Sequence, residues 1–157
     1  MKSPGQFAPD KPPPPILIVD DEDIVLAALK ETLKRANYDV VPISDPVAAL
    51  EEIKKREFSA IITDQSMPNL TGLELLGQAR EIQPYATRIL VTAVLDLDTV
   101  IDAINKGEIY RFVVKPWLRE ELLATVKNAV QRHELIVSNH RLQAETQAIN
   151  QKLSALN

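Results

Sequence analysis

Two rhythms of apolar and polar positions alternate along the chain. Short runs of β-branched and other apolar residues occupy positions 16–19, 40–43, 60–63, 89–92 and 112–114. Between them, at about 24–36, 47–56, 72–81 and 99–105 and from Glu120 onward, apolar residues recur every three or four positions. The first rhythm predicts strands and the second predicts amphipathic helices. Local punctuation agrees. Asp45 precedes Pro46, a capping residue ahead of a first-turn proline, and Thr71 precedes "GLELL" with Glu74 three residues on, a capping box. Asn37, Pro84 and Gly107 mark helix ends.

Five consecutive strand-then-helix units imply parallel strands joined by right-handed crossovers, with helices covering both faces. The strand runs hold few charges, as double burial requires. The predicted fold class is therefore α/β: a flavodoxin-like, doubly wound, five-stranded parallel sheet, (βα)5, followed by an extended C-terminal helix. In such a sheet, function lies in the crevice at the carboxyl ends of the strands, where the strand order reverses.

At 157 residues, 45% hydrophobic and 25% charged, the chain suits one well-filled core with appendages. It contains no cysteine, which excludes disulfides and thiolate metal sites. A net charge of −4 offers no electrostatic footprint for nucleic acid. No apolar run approaches the ~20 residues of a membrane span, and the N-terminus lacks a signal-peptide core. The expected location is cytoplasmic. Six of the 11 prolines fall in residues 1–15, "MKSPGQFAPDKPPPP", which reads as a disordered or polyproline-like leader. The expected division is leader 1–15, core domain 16–135 and C-terminal helical extension 136–157.

The candidate chemistry sits just past the strands. "ILIVDDED" runs four apolar residues straight into four acids, an arrangement whose mutual repulsion needs a counter-charge. Asp20 and Asp21 follow the first strand, Asp64 the third, Thr92 and Ala93 end the fourth, and Lys115 and Pro116 end the fifth. Hard carboxylate oxygens converging on one point suit Mg²⁺, or another divalent cation such as Mn²⁺. A third carboxylate beside that ion can act as a nucleophile towards phosphorus. Lys115 supplies a second cation for phosphoryl oxygens, Thr92 a hydroxyl, and Ala93 a backbone N–H.

The motifs "VDDE", "DQSMPNLTG", "LVTA" and "VVKP", in this order and spacing, resemble the receiver domain of two-component response regulators over about residues 16–135. The resemblance implies that Asp64 is the phosphoacceptor. It implies that Asp21 and, through water, Asp20 hold Mg²⁺ together with Asp64 and the backbone carbonyl of Ser66. It further implies a switch through Thr92 and Phe112, a phosphate-contacting Lys115 and a cis Lys115–Pro116 bond. Ser66 and Val94, two residues past the acceptor and past Thr92, occupy the positions that influence phosphate lifetime in the family. Apolar Val94 cannot orient an attacking water. The implied partner is a sensor histidine kinase or phosphotransfer protein.

Other conspicuous residues have plainer expectations. Met67 and Pro68 shape their loop, and Gly72 relieves close packing or starts its helix. Trp117, the only tryptophan, is expected to pack. His133 and His140 lie seven residues apart, too far for a two-histidine metal grip on one helix turn, and are expected to be solvated or at an interface.

No glycine or proline interrupts residues 118–157, so the last helix is expected to run on past the domain. Leu135, Leu142, Ile149 and Leu156 recur every seven residues, and Asn139, Thr146 and Leu153 follow the first three by four. At heptad positions d and a they form a short, imperfect coiled coil, and an a-position Asn sets register in parallel dimers. A homodimer through the receiver surface and this helix is expected. The remaining 20–40 or so residues are too few for a helix-turn-helix output and are not basic, so no nucleic-acid partner is expected in this chain, and an output domain would be absent or truncated. "YRFVVKPW" with its long exit helix is similar to receivers that feed cyclic-nucleotide or phosphodiesterase enzymes. Two alternatives stand beside the phosphoacceptor: a phosphorylation-independent dimeric scaffold, which would need none of the carboxylates, and an Asp-nucleophile phosphohydrolase, which would want a second carboxylate where Ser66 stands.

Overall fold

The computed structural model describes residues 12–93 and 97–156. The elements are β1 (Ile16–Val19), α1 (Asp23–Arg35), β2 (Val40–Ile43), α2 (Pro46–Lys55), β3 (Ala60–Asp64), α3 (Gly72–Ile82), β4 (Thr87–Thr92), α4 (Leu97–Asn105), β5 (Arg111–Val114) and α5 (Arg119–Leu156). All strand pairs are parallel and the order is β2-β1-β3-β4-β5, so the chain reverses direction across the sheet between β1 and β3. This is the expected flavodoxin-like sheet.

Strand alternation divides the core in two. Leu17, Val19, Ile61 and Leu90 face a cluster with Ala49, Ile53, Leu75, Leu76 and Ala103 from α2, α3 and α4. Ile16, Ile18, Ile62, Ile89 and Val91 face the opposite cluster, built with Leu29 and Leu33 of α1 and Leu122, Val126 and Ala129 of α5. Side chains two residues apart share a sheet face, so each central strand needs apolar residues at every position.

The caps form as their sequences imply. Asp45 accepts from Val47 N at 3.1 Å. Thr71 and Glu74 make the reciprocal capping box. Asn37 and Gly107 take positive φ values of 68° and 74° where α1 and α4 end.

β4 begins at Thr87, two residues earlier than the apolar run indicates. Thr87 and Arg88 are polar yet buried, because their donors are used. Thr87 Oγ1 donates to Ala129 O at 2.9 Å, and the Arg88 guanidinium donates to the carbonyls of Glu108 (2.9 Å), Gly107 (3.0 Å), Ala86 (3.2 Å) and Pro84 (3.4 Å). Burial pulls the Arg88 pKa down to about 10, with the Arg80 and Arg132 charges adding to the shift.

α5 is one uninterrupted 38-residue helix. Through His133 it packs on the sheet, and from Asn139 to Ala155 each residue is exposed. Of the two expectations for His133, solvated or at an interface, the first fails: it is 2% exposed, and neither ring nitrogen has a hydrogen-bond partner among the described residues. Its position one turn past Ala129, on the stripe that covers the sheet, buries it. Residues 1–11 of the leader and Val94 lie outside the described residues. No helix among the described residues is long and apolar enough to cross a membrane.

Candidate functional site

The site forms where β1 and β3 end side by side. Ile16 to Val19 pair with Ala60 to Thr63, so Asp20 leaves β1 beside Asp64, the last residue of β3. Carboxylate oxygens of Asp20, Asp21 and Asp64 lie within 4.8 Å of one another, with Asp21 exposed and the other two buried. Asp20 is oriented by the Glu22 N–H, which donates to Oδ1 at 2.9 Å. Its Oδ2 accepts from Lys115 Nζ at 2.8 Å, and the same ammonium lies 3.1 Å from Asp64 Oδ1.

One ammonium thus serves two buried carboxylates. Lys115 is held above the usual lysine value: burial works against its charge, but the hydrogen bonds to Asp20 and Asp64 outweigh it. Asp64 is pushed above the usual carboxylate range by burial, with the Asp20 charge adding and the Lys115 hydrogen bond opposing. The two shifts have different causes: burial dominates at Asp64, whereas at Lys115 the contacts with Asp20 and Asp64 overcome burial. The all-oxygen donor set and its surplus of negative charge fit a hard divalent cation.

Lys115 is delivered by β5. Its backbone N–H donates to Thr92 O at 3.0 Å, which joins the ends of β4 and β5, and Lys115–Pro116 is cis. Thr92 is buried, one residue beyond the β4 partner of Asp64, and Ala93 follows it, exposed. Ser66 is exposed on the loop after β3. Phe112 does not join the acid cluster. On β5 it pairs with Leu90 of β4, half-buried, and lines a groove between α4 and α5 with Ile104, Tyr110 and Thr125. Trp117 packs on the α1/α5 side of the core, and buried Met67 receives Thr63 Oγ1 at 3.8 Å.

Two supporting residues tie α3 to the end of β3. Gly72 packs so closely that a Cβ there would collide with the Asp64 carbonyl oxygen and come within 2.8 Å of Leu90 Cδ1. The close approach was legible in Gly72; what it approached was not. Gln65 makes the second tie. Its side-chain Oε1 accepts from Leu73 N at 2.9 Å, its carbonyl accepts from Gly72 N at 3.1 Å, and its own N–H donates to Val91 O at 3.0 Å. A polar residue next to an acid carries no sequence signal for this role, because its partners are backbone groups of other elements.

Fold and site together define a doubly wound α/β protein with an acid pocket and a lysine at its switch point. The chain belongs to the response regulator receiver domain family, which matches residues 16–127. The hydrogenase transcriptional regulatory protein HoxA of Cupriavidus necator is 35% identical over 118 residues, 75% of this chain and 24% of the relative. The chain spans about a quarter of the length of the curated relatives it matches. Among solved structures, one titled adenylate cyclase from Rhodopirellula baltica is 32% identical with a TM-score of 0.80, covering 84% of this chain and 98% of that one. The signal receiver domain of an HD domain-containing protein from Pseudomonas fluorescens Pf-5 is also 32% identical, with a TM-score of 0.77, covering 84% and 97%.

Proposed function

We propose that the protein is a phosphoacceptor signalling switch in which Asp64 receives a phosphoryl group from a sensor histidine kinase or phosphotransfer protein. The observation that carries this reading is the convergence of Asp20, Asp21, Asp64 and Lys115 at one strand edge. Asp20, Asp21, Asp64 and the Ser66 carbonyl would hold Mg²⁺, which neutralises phosphoryl oxygens and orients them for in-line attack.

Asp64 attacks phosphorus with one carboxylate oxygen. A P–O bond forms as the P–N bond to the donor imidazole breaks, and that nitrogen keeps the bonding pair. Lys115 leaves its double pairing to hold one phosphoryl oxygen, and the Thr92 hydroxyl and Ala93 N–H hold the others. Thr92 and Phe112 then shift, and the change passes to the face formed by α4, β5 and α5. Moving a two-state switch from about 1% to 99% active requires roughly 5.5 kcal/mol of differential stabilisation. A doubly charged phosphoryl group beside a buried ammonium is on that scale. The protein is read as a phosphoacceptor that assists its own phosphorylation and dephosphorylation, without enzymatic turnover of a substrate. It acts as a homodimer through the receiver surface and the exit helix.

The test is intact-mass spectrometry after incubation with Mg²⁺ and acetyl phosphate. One added phosphoryl group, dependent on Mg²⁺ and absent from Asp64→Asn, is expected. Catalytic hydrolysis of a small phosphoester without a stoichiometric adduct would point to a phosphohydrolase instead.

A further inference from the structure

Each end of α3 is pinned by a glutamine side chain. At the end remote from the acid cluster, Gln83 Nε2 donates to the carbonyls of Ile53 (2.6 Å) and Arg56 (2.5 Å), and its Oε1 accepts from Phe58 N at 2.9 Å. At the near end the glutamine is Gln65, which follows Asp64 directly. The first backbone N–H groups of a helix have no partner inside it. In α3 the Gly72 N–H donates to Gln65 O and the Leu73 N–H to Gln65 Oε1, while the Glu74 N–H donates to Thr71 Oγ1. The start of α3 is therefore capped largely from the end of β3.

These bonds close loop 66–71 at its neck. Ser66, exposed, stands there between two anchored residues. On one side Gln65 also donates its N–H to Val91 O of β4 at 3.0 Å. On the other, Met67 is buried, with Thr63 Oγ1 3.8 Å from its sulfur. The backbone bonds at the neck form whatever side chain position 65 carries. The bond to Leu73 needs an acceptor oxygen at the reach of glutamine.

We propose that the Gln65 side chain is a positioning residue for the metal site: by tying the start of α3 to the end of β3, it holds the Ser66 carbonyl where Mg²⁺ needs it. The inference rests on the Mg²⁺ reading and adds to it a residue outside the ligand set. Without the side-chain bond, the Leu73 N–H loses its acceptor and the loop is free to draw away from the acids. Asp20 and Asp64 stay where β1 and β3 hold them. Mg²⁺ demands short bonds in near-octahedral geometry, so a small displacement of one carbonyl costs affinity.

Isothermal titration of the full chain with Mg²⁺, below the melting temperature of the weakest variant, is the test. Gln65→Ala and the longer Gln65→Met both remove the oxygen acceptor. Gln83→Ala is the control, since it removes comparable bonds from the other end of the same helix. All three are expected to melt at lower temperature. Only the two Gln65 variants should bind Mg²⁺ more weakly, by about tenfold, the scale for residues that support metal ligands. Their phosphorylation from acetyl phosphate should slow at limiting Mg²⁺ and recover at saturating Mg²⁺. Wild-type affinity in the Gln65 variants would overturn the positioning role and leave the metal site standing. Equal weakening in Gln83→Ala would overturn it too, by tracing the loss to a loosened α3. A wild-type chain that binds no Mg²⁺ would end both readings.

Discussion

Lys115 Nζ sits 3.1 Å from Asp64 Oδ1 while it also donates to Asp20 Oδ2 at 2.8 Å, a contact between residues 95 positions apart in the chain. The ammonium holds together two buried acids that would otherwise repel. Removing it should cost the pocket its charge balance. Lys115→Met is expected to lower stability by about 3 kcal/mol, the scale for breaking a buried ion pair from one side. Mg²⁺ should restore much of that loss by replacing the missing positive charge. Urea denaturation with and without Mg²⁺ tests this; equal losses in the two conditions would mean that the acids do not share a cation.

Gly72 should tolerate no side chain. A Cβ would meet the carbonyl oxygen of Asp64, backbone that cannot move aside as a flexible side chain would. Gly72→Ala is expected to destabilise by about 1–3 kcal/mol, as overpacking does. Because the displaced atom belongs to the proposed acceptor, Asp64, phosphorylation from acetyl phosphate should slow as well. A variant of wild-type stability and rate would show that α3 can draw back freely.

Gln65 is expected to act as a cap supplied from outside its helix. Gln65→Ala removes the acceptor for Leu73 N–H and should cost about 1 kcal/mol, the usual value of an N-terminal cap. Gln65→Glu keeps an acceptor oxygen and, near a helix N-terminus, a favourable charge, so it should retain the stability that Ala loses. Chemical denaturation of the two variants side by side decides the matter, and equal loss in both would sink the capping role.

His133 should make the fold sensitive to acid. Burial lowers its pKa, and the charges of Glu57, 3.5 Å from Nε2, and Glu134 on the same helix oppose the shift without reversing it. A histidine depressed in the folded state contributes stability that is complete above the unfolded value of about 6.5 and is lost as pH falls through the lower folded value. His133→Leu should flatten the decline in melting temperature across that window. Parallel curves for wild type and variant would show that the imidazole is not what acid attacks.

The sequence by itself determined the order and kind of the elements, because each depends on local signals. Alternating rhythms of two and three to four, a capping aspartate before Pro46 and the Thr71–Glu74 pair act within a few residues. It also determined the chemistry available at the strand ends, since "VDDE", "DQSMPNLTG" and "VVKP" each follow a strand, and parallel strands share one carboxyl edge. Only the tertiary structure decided what those groups do to one another. That Lys115 bridges Asp20 and Asp64, that Gly72 abuts the Asp64 carbonyl and that Gln65 caps α3 are contacts across elements, set by sheet order and crossover packing. The same holds for Thr87, Arg88 and His133. Their polarity argues for solvent, but each stands on a stripe that the fold covers, and burial follows position when the surrounding apolar contacts outweigh one polar side chain. The heptad along α5 was readable as a pattern; which side of the helix the receiver leaves open depended on where the sheet met it.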